Sequence, residues 1–287
     1  MPHSHIGPTE NGTGVHRGAV LTFPEGRHKA LVMNYDDGSE HDYRLVELLN
    51  TYGLRGTFNL NSSRLGQDHF VKRRDVRGLY DGHEVASHTL THPDLVQLRD
   101  DDIRHELYDD KSALENLAGY PVRGFAYPFG TYDDRVAALV AEAGLAYGRT
   151  IHDTFGFSLP TEVLRLTTTC HHSQAFELGQ AFLNNLNGGL HFMLVWGHSY
   201  EFDGFMTRDP AQDWGYLTAF CRMMQGQRDI WYTTTIDVVD YTAAMAAIQF
   251  SDDGAVLTNR SSRDVWAEID GATVRISPDA TIQLRNA

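Results

Sequence analysis

The sequence predicts an α/β protein: a distorted (β/α) barrel followed by a small antiparallel β unit. Short β-type segments alternate with amphipathic helical segments from residue 29 to residue 247, which is typical of right-handed βαβ units and a parallel sheet. Seven or eight such units over about 220 residues suit a closed or nearly closed barrel better than an open sheet. After residue 247, hairpin signals replace the helices.

The barrel elements follow one another along the chain. Predicted strands cover residues 29–35, 55–61, 83–88, 122–127, 145–151, 164–170, 190–196 and 229–235. Predicted helices cover residues 41–52, 100–118, 133–143, 174–186, 210–225 and 236–247. In the tail, the runs AVLTN, VWAEI, TVRIS and TIQLR are separated by SDDG, IDGA and SPDA, a pattern that indicates hairpins.

The chain therefore divides into three predicted parts. Residues 1–26 form a loose N-terminal arm rich in Gly, Pro, His and Thr, residues 27–247 the barrel, and residues 248–287 the β appendage. The first 20 residues hold no apolar run of signal-peptide length, and no stretch approaches the roughly 18 apolar residues of a membrane span. We expect a cytoplasmic protein, unless a leader has been removed.

The composition is that of a folded protein with an acidic surface. Hydrophobic residues make up 41% and charged residues 22% of the 287 positions, close to globular averages, which excludes disorder, collagen and coiled coil. Lys and Arg number 24 against 38 Asp and Glu, and the net charge of −14 repels phosphate backbones and anionic lipids. We expect neither nucleic acid nor a membrane as a partner, and a homo-oligomer is compatible with these features.

Polar residues gather immediately after four of the predicted strands. These segments are Asp-Asp-Gly at 36–38, His-Thr-Leu-Thr-His at 88–92, Tyr-Pro-Phe-Gly at 127–130 and Gly-His-Ser-Tyr-Glu at 197–201. The βα loops at the carboxyl ends of barrel strands converge on one mouth. We therefore expect the four segments to share one face.

Two histidines and a carboxylate in these segments predict a metal site. His88 and His92, with an Asp from another loop, form a two-His-one-carboxylate set that leaves positions for water and substrate. Such donors favour Zn²⁺, with Fe²⁺, Co²⁺, Mn²⁺ and Ni²⁺ as alternatives. Successive residues at a strand end point apart, so one of Asp36 and Asp37 can bind the metal while the other accepts the proton of water.

The four segments resemble the motifs of the polysaccharide deacetylases, the NodB homology domains of carbohydrate esterase family 4. LVMNYDDG is similar to the first motif of that family, GHEVASHTLTH to the second, FAYPFG to the third and LVWGHSYEF to the last. The resemblance covers roughly residues 28–245 and implies a deacetylase barrel. The roles it implies are metal binding for Asp37, His88 and His92, general base for Asp36, general acid for His198, and an oxyanion-binding amide for Phe129.

The chain departs from the family pattern in two places. The third motif often carries an Arg two residues before Pro that orients the base, and this chain has Ala126 there. Arg149 is expected to substitute, the alternative being a surface Arg paired with a helix acid. The family's Asp-containing segment that orients the acid His is not evident in IHDTFGF, so Asp153 and Glu201 are both candidates for that role.

Other polar and aromatic residues near the strand ends are candidate substrate contacts. They are Tyr127, Trp196, Tyr200 and Glu201. Trp196 and Tyr200, together with Phe202 and Trp214, could form an apolar platform for a sugar ring or belong to the core. His171 and His172 follow a strand and either edge the site or pack in the core. His83 is expected to be a structural hydrogen-bonding residue, because its HExxxH spacing does not fit a helical zinc motif.

Together these features predict a metal-dependent hydrolase that removes N- or O-linked acetyl groups from a carbohydrate or other small acetylated substrate. Two alternatives remain open. The same metal and side chains could hydrolyse an amide or imide of a non-carbohydrate substrate. The barrel could also be a carbohydrate-binding module with weakened catalysis, of which Ala126 would be a sign.

Overall fold

A computed structural model of the chain describes residues 18–185, 187–207, 209 and 211–284. The chain divides into two compact units. One is Lys29–Thr242, and the other combines Met1–His28 with Ala243–Ala287. Most of the predicted N-terminal arm lies outside the described residues.

The regular elements alternate along the chain much as the sequence predicts. The strands are β1 Ala19–Thr22, β2 Lys29–Asp37, β3 Gly56–Leu60, β4 Glu84–Ser87, β5 Arg149–Asp153, β6 Leu166–Thr168, β7 Cys170–His171, β8 His191–His198, β9 Ile230–Tyr232, β10 Ile248–Phe250, β11 Val256–Asn259, β12 Val265–Ile269, β13 Ala272–Ile276 and β14 Thr281–Gln283. The α-helices are α1 Asp42–Thr51, α2 Val76–Leu79, α3 Asp100–Ala118, α4 Asp134–Glu142, α5 Ala175–Asn184, α6 Trp214–Met224 and α7 Thr235–Ala246.

The strands of the Lys29–Thr242 unit pair in parallel around a central β2. β2 pairs with β8 on one side, and on the other with β9 near its start and β3 near its end. β4 pairs with β3 on its far side from β2, β7 pairs with β8, and β5 pairs with β6. Parallel bridges from Ser87 to Phe125 and from Ala126 to Arg149 join β4 to β5. This arrangement confirms the predicted α/β class with a parallel sheet and is consistent with a distorted barrel.

The predicted strand 122–127 is reduced to two isolated bridges. Ser87 donates to the Gly124 carbonyl and Ala126 to the Ser87 carbonyl, both pairings with the end of β4. Already at the next residue, Tyr127 donates to the carbonyl of Arg149 in β5. Because the segment exchanges one neighbour for another within two residues, no continuous ladder forms along it.

β2 has one apolar and one polar face, although all nine of its residues are buried. Leu31, Met33 and Tyr35 belong to the main hydrophobic cluster, together with residues of α1, α5 and α6. Alternation along the strand sends Asn34 and Asp36 to the other face, where Asn59 of β3 donates hydrogen bonds to both side chains. Near the carboxyl end of β2, the interior of the barrel therefore contains hydrogen-bonded polar side chains rather than apolar ones.

The second unit is built from antiparallel strands, which confirms the predicted β appendage. β12 pairs with β1 and β13, and β11 pairs with β10 and β14. The strand β1 lies within the predicted loose arm but is ordered, because Ala19 is buried in the cluster that also holds Leu257, Ala267 and Ile276. Across the described residues of both units, no helix is both long and apolar enough to cross a bilayer.

Candidate active site

The predicted catalytic and metal-binding side chains come together at the carboxyl ends of the strands. In the β2 ladders, Asp36 lies opposite Asn59 of β3 and opposite His198 of β8. Asp37 is the last residue of β2, and His88 follows β4 directly. The register of a parallel sheet thus places the candidate base and the candidate acid side by side.

Asp37, His88 and His92, here called the metal trio, converge on one point. One donor atom from each residue lies within 4.8 Å of the other two. His92 Nε2 is 3.8 Å from Asp37 Oδ1, and the two imidazole rings are 4.7 Å apart at their centroids. Asp37 and His92 have φ angles of +79° and +65°. Such left-handed backbone costs free energy for residues other than Gly, and it recurs where side chains are aimed at a functional point.

The donor atoms of the metal trio suit a divalent cation. His88 Nδ1 donates to the Ala126 carbonyl at 2.8 Å, so Nε2 carries no proton and its lone pair is free. Burial lowers the pKa of His88, and it lowers that of His92 to about 4; both imidazoles are therefore neutral, as metal ligation requires. Buried Asp37 Oδ1 has no hydrogen-bond partner among the described residues, and Arg64 Nη1 is 3.7 Å away. A buried carboxylate oxygen without a hydrogen-bond partner is suited to binding a cation.

Asp36 is held as a carboxylate by two buried donors. Arg149 Nη2 donates to Oδ1, and Asn59 Nδ2 donates to the same atom at 2.7 Å. Burial is the largest single influence and raises the pKa of Asp36, but the charge and hydrogen bond of Arg149 together with the imidazoles of His88 and His198 outweigh it and lower the pKa to about 2. Arg149 is fully buried and lies over the ring of Trp196, 5.4 Å from its centroid. Arg149 is thus not the surface residue of the alternative prediction.

His198 is oriented by Glu201 rather than by Asp153. His198 Nδ1 lies 2.7 Å from Glu201 Oε1, and Nε2 points toward Asp37 Oδ2 at 4.0 Å. Burial opposes protonation of His198, but the hydrogen bond to Glu201 and the charges of Asp36, Asp37 and Glu201 together outweigh burial and raise its pKa. The Tyr200 ring stacks on the imidazole at 5.0 Å, and its hydroxyl donates to Asp37 Oδ2 at 3.1 Å. Asp153 instead accepts from the indole of Trp196 at 2.8 Å.

The Pro-Phe-Gly turn places Phe129 beside the metal trio. The φ angle of Phe129 is +59°, and its ring meets His92 edge to face at 4.7 Å. Gly130 must be glycine, because its φ is +69° and a Cβ there would lie 2.3 Å from Ile151 Cγ1. The oxyanion role of the Phe129 amide stays a prediction.

Three of the four predicted substrate contacts are buried and otherwise engaged. Tyr127 is 1% exposed and donates its hydroxyl to the Leu164 carbonyl at 2.8 Å, so it is a core residue. The Trp196 ring packs against the guanidinium of Arg149, and Glu201 is hydrogen-bonded to His198. Tyr200 is the member of this set that is partly exposed. The prediction of a substrate contact is therefore wrong for Tyr127, and Trp196 follows the core alternative rather than the platform, since the core encloses both.

Several residues that build the site carry no motif in the sequence. Asn59 is one, although an Asn inside the strand-like run GTFNLN is an unusual polar residue at a buried position. His171 and His172 also contribute, because their Nε2 atoms lie 3.2 and 3.6 Å from the oxygens of Glu201. We call Glu201 with His171, His172 and His198 the Glu201 cluster. The feature of the sequence that could have identified His171 and His172 is their position as adjacent histidines directly after a predicted strand.

Comparisons with known proteins agree with this fold. A family model described as polysaccharide deacetylase matches residues 24–148. Chitin deacetylase 1 of Cryptococcus neoformans is 30% identical over 115 residues, which are 39% of this chain and 24% of that protein. A putative polysaccharide deacetylase structure from Mycobacterium smegmatis has 19% identity and a TM-score of 0.58 over 79% of this chain and 94% of that chain. A family 4 acetyl xylan esterase structure from Clostridium thermocellum, which contains a cobalt ion, has 15% identity and a TM-score of 0.50 over 75% and 92% of the two chains.

The fold is the distorted α/β barrel of these structural neighbours. Residues 24–148, which contain the first three of the four motifs, match the polysaccharide deacetylase family model, in agreement with the resemblance of those motifs. Both structural neighbours share the fold. The match to the Cryptococcus neoformans protein spans about a quarter of that relative's length.

Proposed function

We propose that this chain is a metal-dependent hydrolase that removes N- or O-linked acetyl groups from a carbohydrate. The observation that carries the proposal is the placement of Asp36 and His198 on neighbouring strands, both next to the metal trio. A general base and a general acid are both needed to hydrolyse an amide or an ester of a poor leaving group. The names of the relatives, chitin deacetylase and acetyl xylan esterase, support an acetylated polysaccharide as the substrate class.

Asp37, His88 and His92 would hold the cation, for which the donor set favours Zn²⁺. The cobalt ion in the acetyl xylan esterase structure supports Co²⁺ as an alternative. When bound, such an ion acts as a Lewis acid that polarises a carbonyl and makes water more acidic.

Asp36 would take the proton of the attacking water. Arg149 and Asn59 both donate to Oδ1, and no hydrogen bond among the described residues uses Oδ2, so the latter oxygen is available to accept a proton. Arg149 contributes a fixed positive charge that keeps the carboxylate ionised. It also supplies the contact that Ala126 cannot make, which favours an enzyme over a binding module with weakened catalysis.

His198 would protonate the leaving amine or alcohol. Glu201 binds Nδ1 and thereby directs Nε2 toward the site, while the stacked Tyr200 ring limits rotation of the imidazole. The Phe129 amide would donate to the oxyanion that forms when water adds to the carbonyl. Each role uses a separate side chain or amide, so each can be removed on its own.

The variant Asp36→Asn tests the proposal most simply. It keeps the shape of the side chain but cannot accept the proton, so acetate release from chitin oligosaccharides or acetylated xylan should fall about 10²- to 10³-fold. Metal content, measured by elemental analysis, should stay at the wild-type level. The control is Asp101→Asn, the same change at an exposed helix position, which should leave turnover unchanged. Wild-type turnover in Asp36→Asn would contradict the role of Asp36.

A further inference from the structure

We propose that His171 and His172 are positioning residues that fix Glu201 and, through Glu201, hold His198 ready to protonate the leaving group. The inference rests on the proposed deacetylase function and extends it to two residues outside the four motifs. β7 and β8 are paired neighbours, with His171 opposite Trp196. Their ends therefore bring the histidine pair against the Gly-His-Ser-Tyr-Glu segment.

Glu201 is a buried carboxylate surrounded by imidazoles. Oε1 lies 2.7 Å from His198 Nδ1 and 3.2 Å from His171 Nε2, and Oε2 lies 3.6 Å from His172 Nε2. Glu201 is 4% exposed, and His171 and His172 are each 1% exposed. Because water does not solvate this carboxylate well, its position depends on these partners. Although burial raises the pKa of Glu201, the three imidazole contacts lower it well below its usual value, so the side chain stays anionic.

The tautomer of His171 shows that this cluster is a hydrogen-bond network. The Ser173 backbone N–H donates to His171 Nδ1 at 3.3 Å, so Nδ1 is an acceptor and the proton of a neutral ring lies on Nε2. That N–H donates to Glu201. An Nε2 atom that carries a proton cannot bind a metal, even though His171, His198 and Glu201 are close enough to form a three-residue donor set.

His172 is held tightly enough to act as a fixed support. Its ring packs against Phe202 with centroids 4.3 Å apart and stacks on Tyr35 at 5.9 Å. A Cβ at Gly197 would lie 2.1 Å from His172 Nδ1, so the residue before His198 must be glycine for this ring to fit. Burial lowers the pKa of His172 to about 4, which keeps the ring neutral.

The network matters for one chemical step. When the tetrahedral species collapses, its C–N or C–O bond breaks and the electron pair stays with the leaving atom. That atom takes the proton from Nε2 of the His198 imidazolium, which becomes neutral. If Glu201 is not held in one position, the His198 imidazole can rotate. Its Nε2 proton then points at the leaving atom in a smaller fraction of the bound complexes. Leaving groups that depart without a proton do not need this step.

The test compares two leaving groups in His171→Leu and His172→Leu. On an acetylated carbohydrate that the wild type hydrolyses, kcat should fall about tenfold. On 4-nitrophenyl acetate, whose phenolate leaves unprotonated, kcat should fall less than about twofold. His171→Gln, which keeps an N–H donor of similar reach, should restore most of the lost activity. Ser173→Ala removes the hydroxyl that lies 2.9 Å from His171 Nδ1 but keeps the backbone N–H, so it should show the same selectivity at about two- to threefold.

The matched control is His83→Leu. His83 is also a buried histidine, but it lies just before β4, where it accepts from the N–H of Gly56, the first residue of β3, at 3.0 Å. Any loss in that variant should be equal on both substrates. Equal losses on the two substrates in His171→Leu and His172→Leu, with an active wild type, would overturn the positioning role alone. A wild type that releases acetate only from the aryl ester would overturn the proposed function and the inference together.

Discussion

The metal trio and the Glu201 cluster use the same two chemical groups in opposite ways. In the metal trio, His88 donates a hydrogen bond from Nδ1 to a backbone carbonyl, and Asp37 Oδ1 has no hydrogen-bond partner among the described residues. In the Glu201 cluster, His171 accepts a backbone N–H at Nδ1 and turns its Nε2 proton toward the carboxylate. In the metal trio, lone pairs therefore point at a common centre, whereas in the Glu201 cluster N–H groups point at one carboxylate.

This difference shows that the backbone partner at Nδ1 decides which ring nitrogen of His88 and of His171 carries the proton. A carbonyl at Nδ1 leaves a lone pair on Nε2 that suits a metal, and an N–H at Nδ1 leaves an N–H on Nε2 that donates a hydrogen bond. Proximity of carboxylates and imidazoles is the same in both groups. Variants that change one group and spare the other can therefore separate metal binding from proton donation.

The largest effect should come from exchanging the carboxylate of each group. Asp37→Ala removes a proposed metal ligand, so metal content should fall close to zero and acetate release on the order of 10³-fold. Glu201→Gln should keep full metal content while acetate release falls about 10- to 100-fold. Elemental analysis of the purified variants gives the metal content. Metal loss in Glu201→Gln, or retention in Asp37→Ala, would break the distinction between the two groups.

A smaller effect is expected from Arg149→Lys. Lysine keeps the positive charge but loses the flat, stacked guanidinium over Trp196. Asp36 should be less well oriented, and kcat should fall about tenfold at unchanged metal content. The exposed Arg99→Lys serves as the control. Wild-type kcat in Arg149→Lys would show that charge alone suffices, and metal loss would place Arg149 with the metal trio.

The smallest effect should come from Tyr200→Phe, which touches both groups. Loss of the hydroxyl removes the hydrogen bond to Asp37 Oδ2 but keeps the ring that stacks on His198. Metal affinity should weaken about tenfold. At saturating metal, kcat should change less than about twofold. Competition with a chelator gives the affinity, and a large fall in kcat would mean that the hydroxyl serves the reaction itself.

The sequence predicts the strand ends and therefore most of the residues that meet there. Asp36, Asp37, His88 and His198 lie at the ends of regular strands, where alternation and parallel register determine neighbours. The same reasoning fails for Tyr127, because its segment changes from β4 to β5 within two residues and has no continuous face.

Long-range contacts explain the remaining differences. Glu201 reaches back to His198 because Ser199–Asp203 forms a short 3₁₀ turn, and its contacts with His171 join residues 30 positions apart. Arg149 reaches Asp36 across 113 positions. β1 is ordered by pairing with Val265–Ile269, far along the chain. Local periodicity contains no signal for such pairings, since only the closed fold brings these residues together.

Anomalous diffraction at the zinc edge, from crystals grown with zinc, tests the assignment of the metal trio most directly. We expect one zinc site with Asp37, His88 and His92 each contributing a donor atom at about 2.0–2.2 Å. Zinc bound by the Glu201 cluster instead, or a well-ordered metal trio with no zinc between its side chains, would show that the assignment is wrong.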